Sequence, residues 1–193
     1  WNDVQNTAFV AKVPAYGYTV YNLFTEKESI KEHKSTLSIT KNCLENDLIK
    51  VEFDLQTGDI CSFLDKENGT YIINKPCRAI LLDETDCDTW AHDKNKLGEI
   101  CGVFINPEFR IIEYGNVRAT LQVITTFNNS TIIRKYSIIP QSKTVKVDTI
   151  VDFHEKHKAL KFAFPQQSNS IVVQIPYSTI TRNGDSGEES CGM

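Results

Sequence analysis

"LIKVEFDLQTGDICSFL", residues 48–64, decides how this chain folds. Ile49, Val51, Phe53 and Leu55 alternate with Lys50, Glu52 and Asp54, so one side is apolar and the other charged. That period of two belongs to a strand with one face on a core. "QTGD" supplies turn residues, and "ICSFL" returns as the second arm of a hairpin, closed by "DKENG".

The same pattern recurs downstream. "RATLQVITTF" places Ala119, Leu121, Val123 and Phe127 on one face, and "VKVDTIVDF" does so with Val145, Val147, Val151 and Phe153. Between them "TIIRKYSII" is β-branched and aromatic-rich, and Pro140 ends it. Successive strands with short turns predict an all-β, antiparallel sandwich. The one helix-like piece, "TEKESIKEHKSTL", has a Thr25–Glu28 capping box but only Ile30 and Leu37 as apolar anchors. It reads as an exposed linker or short solvated helix. It divides a strand pair, "FVAKVPAYGYTVYNL", from a main sandwich that starts near Cys43.

Composition excludes several functions. A net charge of −4 argues against nucleic acid or an anionic membrane as the main partner. No apolar run approaches the roughly 20 residues that span a bilayer, and no signal-peptide pattern opens the chain. Its start at Trp1 and a single methionine, Met193, read as an excised piece of a longer protein. Six cysteines, at 43, 61, 77, 87, 101 and 191, have no CxxC spacing. They are expected to be free, mostly buried thiols in a reducing cytoplasm.

Two polar clusters are candidates for chemistry. In "VDFHEKHKALKFAFP", His154 and His157 have a spacing that a helix could use for a metal, but the flanks alternate with period two. "HEKHK" is therefore a polar connection between two antiparallel strands, and Leu160, Phe162 and Phe164 share a face of the second. In "LLDETDCDTWAHDKN", acids, Cys87 and His92 could in principle ligate zinc or calcium, yet zinc-ligand spacing and the calcium-loop glycine are absent. Trp90 with its ring face and the neighbouring acids also suit a sugar-facing loop, and an ordinary surface loop stays open as the plainer reading. No phosphate-binding, dinucleotide, nucleophile-elbow or HExxH motif occurs.

Taken in order, "VPAYGYTVY", "LENDLIKVEFDLQTGDICSFLDKENG", "DTWAHD", "EYGNVRATLQVITTFNNSTIIRKYSI", "VDFHEKHKALKFAFP" and "IPYSTITR" resemble the C-terminal β region of glycoside hydrolase family 38, the α-mannosidases. "DTWAHD" and "GDSGEES" look closer to the bacterial branch. Two departures, Ser178 where the family often has glycine and Asn183 where it has proline, bear on the last loop.

The resemblance implies a galactose-mutarotase-like supersandwich preceded by strands of a small β-domain. On that basis residues 1–24 end the small domain, 25–42 form a linker and 43–193 are the N-terminal part of the supersandwich. It further implies a parent enzyme that cleaves α-mannosidic bonds with retention and uses zinc to hold the sugar. That chemistry needs two carboxyl groups about 5 Å apart. In the family these groups and the zinc ligands lie upstream, so no catalytic, cofactor or metal residue is carried over, and the chain alone is expected to be inactive. Its expected partners are its own catalytic and helical domains and a mannose-containing oligosaccharide, with homo-oligomerisation left open. The residues that could face sugar are Trp90, His92, Asp93, His154, Glu155 and Arg182. A stand-alone carbohydrate-binding sandwich is the alternative, and a mutarotase-like epimerase, which needs an acid and a base in one pocket, is a more distant one.

Overall fold

A computed structural model describes residues 8–22, 35–73, 75–86, 98–165 and 171–182. Every strand pair among them is antiparallel, and no helix occurs among the described residues. The all-β class expected from the alternation is thus the class observed.

The hairpin of residues 48–64 lies within the first sheet. Strands β1 (Ser38–Thr40), β2 (Cys43–Glu45), β3 (Ile49–Phe53), β4 (Ile60–Asp65) and β5 (Thr70–Tyr71) form a meander in sequence order. Ile49, Val51 and Phe53 are buried while Lys50 and Glu52 are half-exposed, as the period of two requires. Leu55 is the exception, at 49% exposure. The strand stops at Phe53 because Asp54 starts a turn: its Oδ1 accepts from the Gln56 and Thr57 amides at 2.7 and 3.0 Å.

A second layer holds β8 (Ile105–Tyr114), β9 (Ala119–Phe127), β10 (Ser130–Ile138) and β11 (Lys146–Asp152), with β8 and β11 at its edges. Its inner face contributes Ala119, Leu121, Val123, Tyr136 and Ile138 to a core shared with Leu44, Ile49, Val51, Phe53 and Ile60 of the first sheet. Truncating a side chain such as Leu121 to alanine here costs roughly 2–5 kcal/mol, the range for emptying a packed site.

A third sheet, β6 (Arg78–Asp83), β7 (Ile100–Val103) and β12 (Lys158–Ala163), lies beside the first, joined to it by an Ile60–Cys77 bridge. Ala79 and Leu81 pack there with Ile132 of β10 and with Leu160 and Phe162. Ile132 and Tyr136 lie four positions apart on one strand and share a face, so both sheets cover the same side of the four-stranded layer. A separate hairpin, β13 (Ile171–Ile175) and β14 (Ser178–Arg182), follows.

Four expectations are corrected. Residues 8–22 carry no strand. Their arms are held instead by a Gly17-to-Pro14 turn bond of 3.2 Å, by Tyr21 Oη with the Lys12 backbone, and by Phe9 against Tyr21. An isolated ribbon is marginal in water, and Tyr16, Tyr18 and Val20 are largely exposed. β11 alternates as read, but it is exposed throughout because it is an edge strand. The "HEKHK" link does not join neighbours in one sheet: β11 pairs with β10 and β12 with β6. Of the four described cysteines, all free, only Cys77 is buried, Cys43 is half-buried, and Cys61 and Cys101 are exposed. The helix-like stretch 25–37 lies for its first ten residues outside the described residues.

Candidate functional site

The crossover between sheets gathers several polar groups. Glu155 is half-buried, and its carboxylate accepts from Ser130 Oγ at 2.9 Å and from Asn128 Nδ2 at 3.1 Å. Ser130 Oγ also accepts from the His154 amide at 2.9 Å. The β9–β10 turn is thereby laced to the crossover. His154 turns its ring to solvent, with Nε2 2.9 Å from Asp152 Oδ1. His157 is exposed with φ of 53°, and its carbonyl accepts from the Glu84 amide at 2.9 Å. The two histidines therefore serve different contacts and do not form a pair. Glu155, expected to face sugar, is committed to two donors of its own chain.

A second constellation lies between the layers. Arg134 of β10 points inward with Ile132 and Tyr136, and is 4% exposed. Its Nη2 donates one long bond of 3.4 Å to the Gly58 carbonyl, and its guanidinium carbon stands 5.9 Å from the Tyr136 ring centre. Asp59, also buried, receives Arg78 Nε at 3.0 Å. Burial pushes the Asp59 carboxyl up, against the Thr57 hydrogen bond and the Arg134 and Arg78 charges that pull it down. Burial likewise pushes the Tyr136 hydroxyl up to about 12 and the Cys77 thiol to about 11, so neither is an anion at neutral pH.

Arg78, Arg134, Tyr136 and Cys77 line a cavity of about 240 Å³, walled opposite by Val147, Thr149, Phe162 and Phe164. Among the described residues no carboxylate lines it, so they do not supply there the acid pair that glycoside cleavage demands.

Of the residues read as sugar-facing, Trp90, His92 and Asp93 lie outside the described residues. Arg182 ends β14, its backbone opposite Ile171. The zinc that the family resemblance implies finds no fit in what is described. No group of three histidine, cysteine or acidic side chains converges among the described residues, and His154 has one acid beside it rather than a ligand set. Sequence reasoning passed over Arg134, although the alternation in "TIIRKYSII" already put it on the face of Ile132 and Tyr136.

No curated protein matches the chain. A family model does: Glycosyl hydrolases family 38 C-terminal domain, over residues 44–190, which takes in all fourteen described strands except β1 and the first residue of β2. The chain therefore belongs to the glycosyl hydrolases family 38 C-terminal domain family and is a non-catalytic β-domain of a family 38 glycosidase.

Proposed function

We propose that this chain is the supporting C-terminal β-domain of a retaining, zinc-dependent α-mannosidase, and that it contributes packing rather than chemistry. The observation that carries this reading is the apolar surface on the two edges of the four-stranded sheet. Ile111 and Tyr114 of β8 are 50% and 64% exposed, and Ile150 of β11 is 57% exposed. Large side chains left open on edge strands suit contact with the catalytic and helical domains of the same protein. The zinc and the catalytic carboxyls belong to that catalytic domain, and no step of the cleavage passes through this chain. The wider reading is a bacterial, cytoplasmic enzyme acting on mannose-containing oligosaccharides, with Trp90, His92, Asp93 and Arg182 as its cleft-wall side chains and self-association open to the same edges.

Paired charge substitutions test the support role in the parent enzyme. Ile111→Lys with Ile150→Lys should lower the unfolding midpoint of the catalytic domain while leaving KM for a mannose disaccharide unchanged. Unaltered stability of the catalytic domain would contradict the support role. A stand-alone sugar-binding module would instead show calorimetric binding of mannosides by the 193-residue chain.

A further inference from the structure

Arg134 presents an unsolved electrostatic problem. Its side chain is 4% exposed, and its Nε has no hydrogen-bond partner among the described residues. Among the described residues its bond to the Gly58 carbonyl is long, at 3.4 Å, and the Tyr136 hydroxyl is its other polar neighbour, which together do not use all the donors of a buried cation. Asp59 feels the Arg134 charge, but it is shared, since its Oδ2 accepts from Arg78 Nε at 3.0 Å. Two guanidiniums therefore face one carboxyl. A buried charge lacking a full partner is costly, and proteins keep one chiefly where something else completes it.

The completing group has room. The cavity that Arg78 and Arg134 line measures about 240 Å³. Scaled from the roughly 150 Å³ apolar cavity that admits benzene, this holds about ten non-hydrogen atoms. Its remaining wall is mostly hydrocarbon and aromatic: Ile60, Val147, Phe162 and Phe164. Phe164 is 62% exposed and stands at the rim, so the space has an entrance. Thr149, directly opposite Arg134 in the β10–β11 register, adds a hydroxyl on the same wall. Among the described residues the site is thus net cationic, two guanidiniums to one carboxyl, with apolar surroundings.

We propose that this inter-sheet cavity is a binding site for a single carboxylate carried on a small apolar body. The carboxylate accepts from the guanidinium pair, whose planar forks suit two-oxygen recognition. The apolar body lies against Phe162, Phe164 and Val147. This inference is independent of the support role, because it requires no second domain.

Benzoate and benzamide, equal in shape and different in charge, make the matched probes, with sodium chloride as the ionic control. The 193-residue chain should bind benzoate saturably by calorimetry and show a rising unfolding midpoint, while benzamide at the same concentration does neither. Arg134→Met should abolish the response. Since that buried substitution can also unfold the chain, Val147→Trp provides the second test: it fills the cavity from its exposed wall, leaves both arginines in place, and should weaken benzoate about tenfold or more. Equal responses to benzoate and benzamide, no saturable benzoate binding at tens of millimolar, or undiminished binding in a folded Val147→Trp chain would each overturn the proposal.

Discussion

Asn46 Nδ2 donates to the Ile139 carbonyl at 2.8 Å, a partner 93 residues away in the chain. The same amide donates to the Ser142 carbonyl at 2.8 Å, and its Oδ1 accepts from the Leu48 and Ile49 amides, both at 2.8 Å. A side chain 1% exposed thus fills its donors and acceptors and pins the β2–β3 turn to the end of β10. Asn46→Ala strands several buried backbone groups at once and should cost about 3 kcal/mol in urea denaturation. Asn46→Asp keeps the acceptors but points a carboxylate at two carbonyl oxygens, so it should also destabilise, and less so in acid.

Gly58 and Gly69 both have positive φ, 75° and 62°, yet they should respond differently to alanine. A Cβ on Gly58 would stand 2.9 Å from Pro107 Cβ and 3.0 Å from both Thr125 Cγ2 and Val123 Cγ1, whereas one on Gly69 meets nothing within 4 Å. Gly69→Ala should cost about 1 kcal/mol, the backbone term alone. Gly58→Ala adds overpacking between the sheets, for a total of about 3 kcal/mol. Equal losses in thermal denaturation would contradict the close approach of the "QTGD" turn to β9.

Lys143 bridges two acids of the β4–β5 turn, 2.8 Å from Asp65 Oδ2 and 2.6 Å from Glu67 Oε2. Its hydrogen bond is the main cause holding the Asp65 carboxyl below its ordinary 3.8. A carboxyl depressed on folding contributes stability that is complete above the unfolded value and is lost as pH falls through the folded one. Lys143→Met should therefore be less stable than the parent chain at neutral pH, with the gap closing as pH drops below 3.8. A gap that stays constant through that acid range, followed by urea midpoints, would show that the bridge is not the cause.

Glu155→Ala removes the acceptor of Ser130 and Asn128 and should loosen the crossover by about 1–2 kcal/mol. Glu155→Gln retains one carbonyl oxygen and should recover much of the loss. If both variants matched the parent in urea but altered mannoside kinetics in the full enzyme, Glu155 would be a sugar contact rather than a structural latch.

How much of this was legible beforehand depends on the range of the forces involved. Alternation in residues 48–64 located β3 and β4 because a strand's two faces are set by its own residues. The same rule put Val147 and Val151 on the inner face but not inside, since burial depends on what lies around the strand: β11 is an edge strand, and a cavity adjoins Val147. "HEKHK" read correctly as a polar link, while its change of sheet was hidden because pairing partners sit far away in the chain: Asp83 opposes Lys158, and Asp152 opposes Thr131. Glu155 looked like a free acid on a loop, yet the Ser130 and Asn128 that occupy it come from a different turn. Arg134 was legible by its phase and was passed over because a buried arginine runs against composition.

The support role requires that this β-domain have no machinery of its own for glycoside cleavage. The most direct test is release of 4-nitrophenol from 4-nitrophenyl α-mannoside by the 193-residue chain, with zinc supplied and the full enzyme as the positive control. A rate indistinguishable from buffer is expected at every substrate concentration. Saturable, stoichiometric turnover by the chain alone would contradict it.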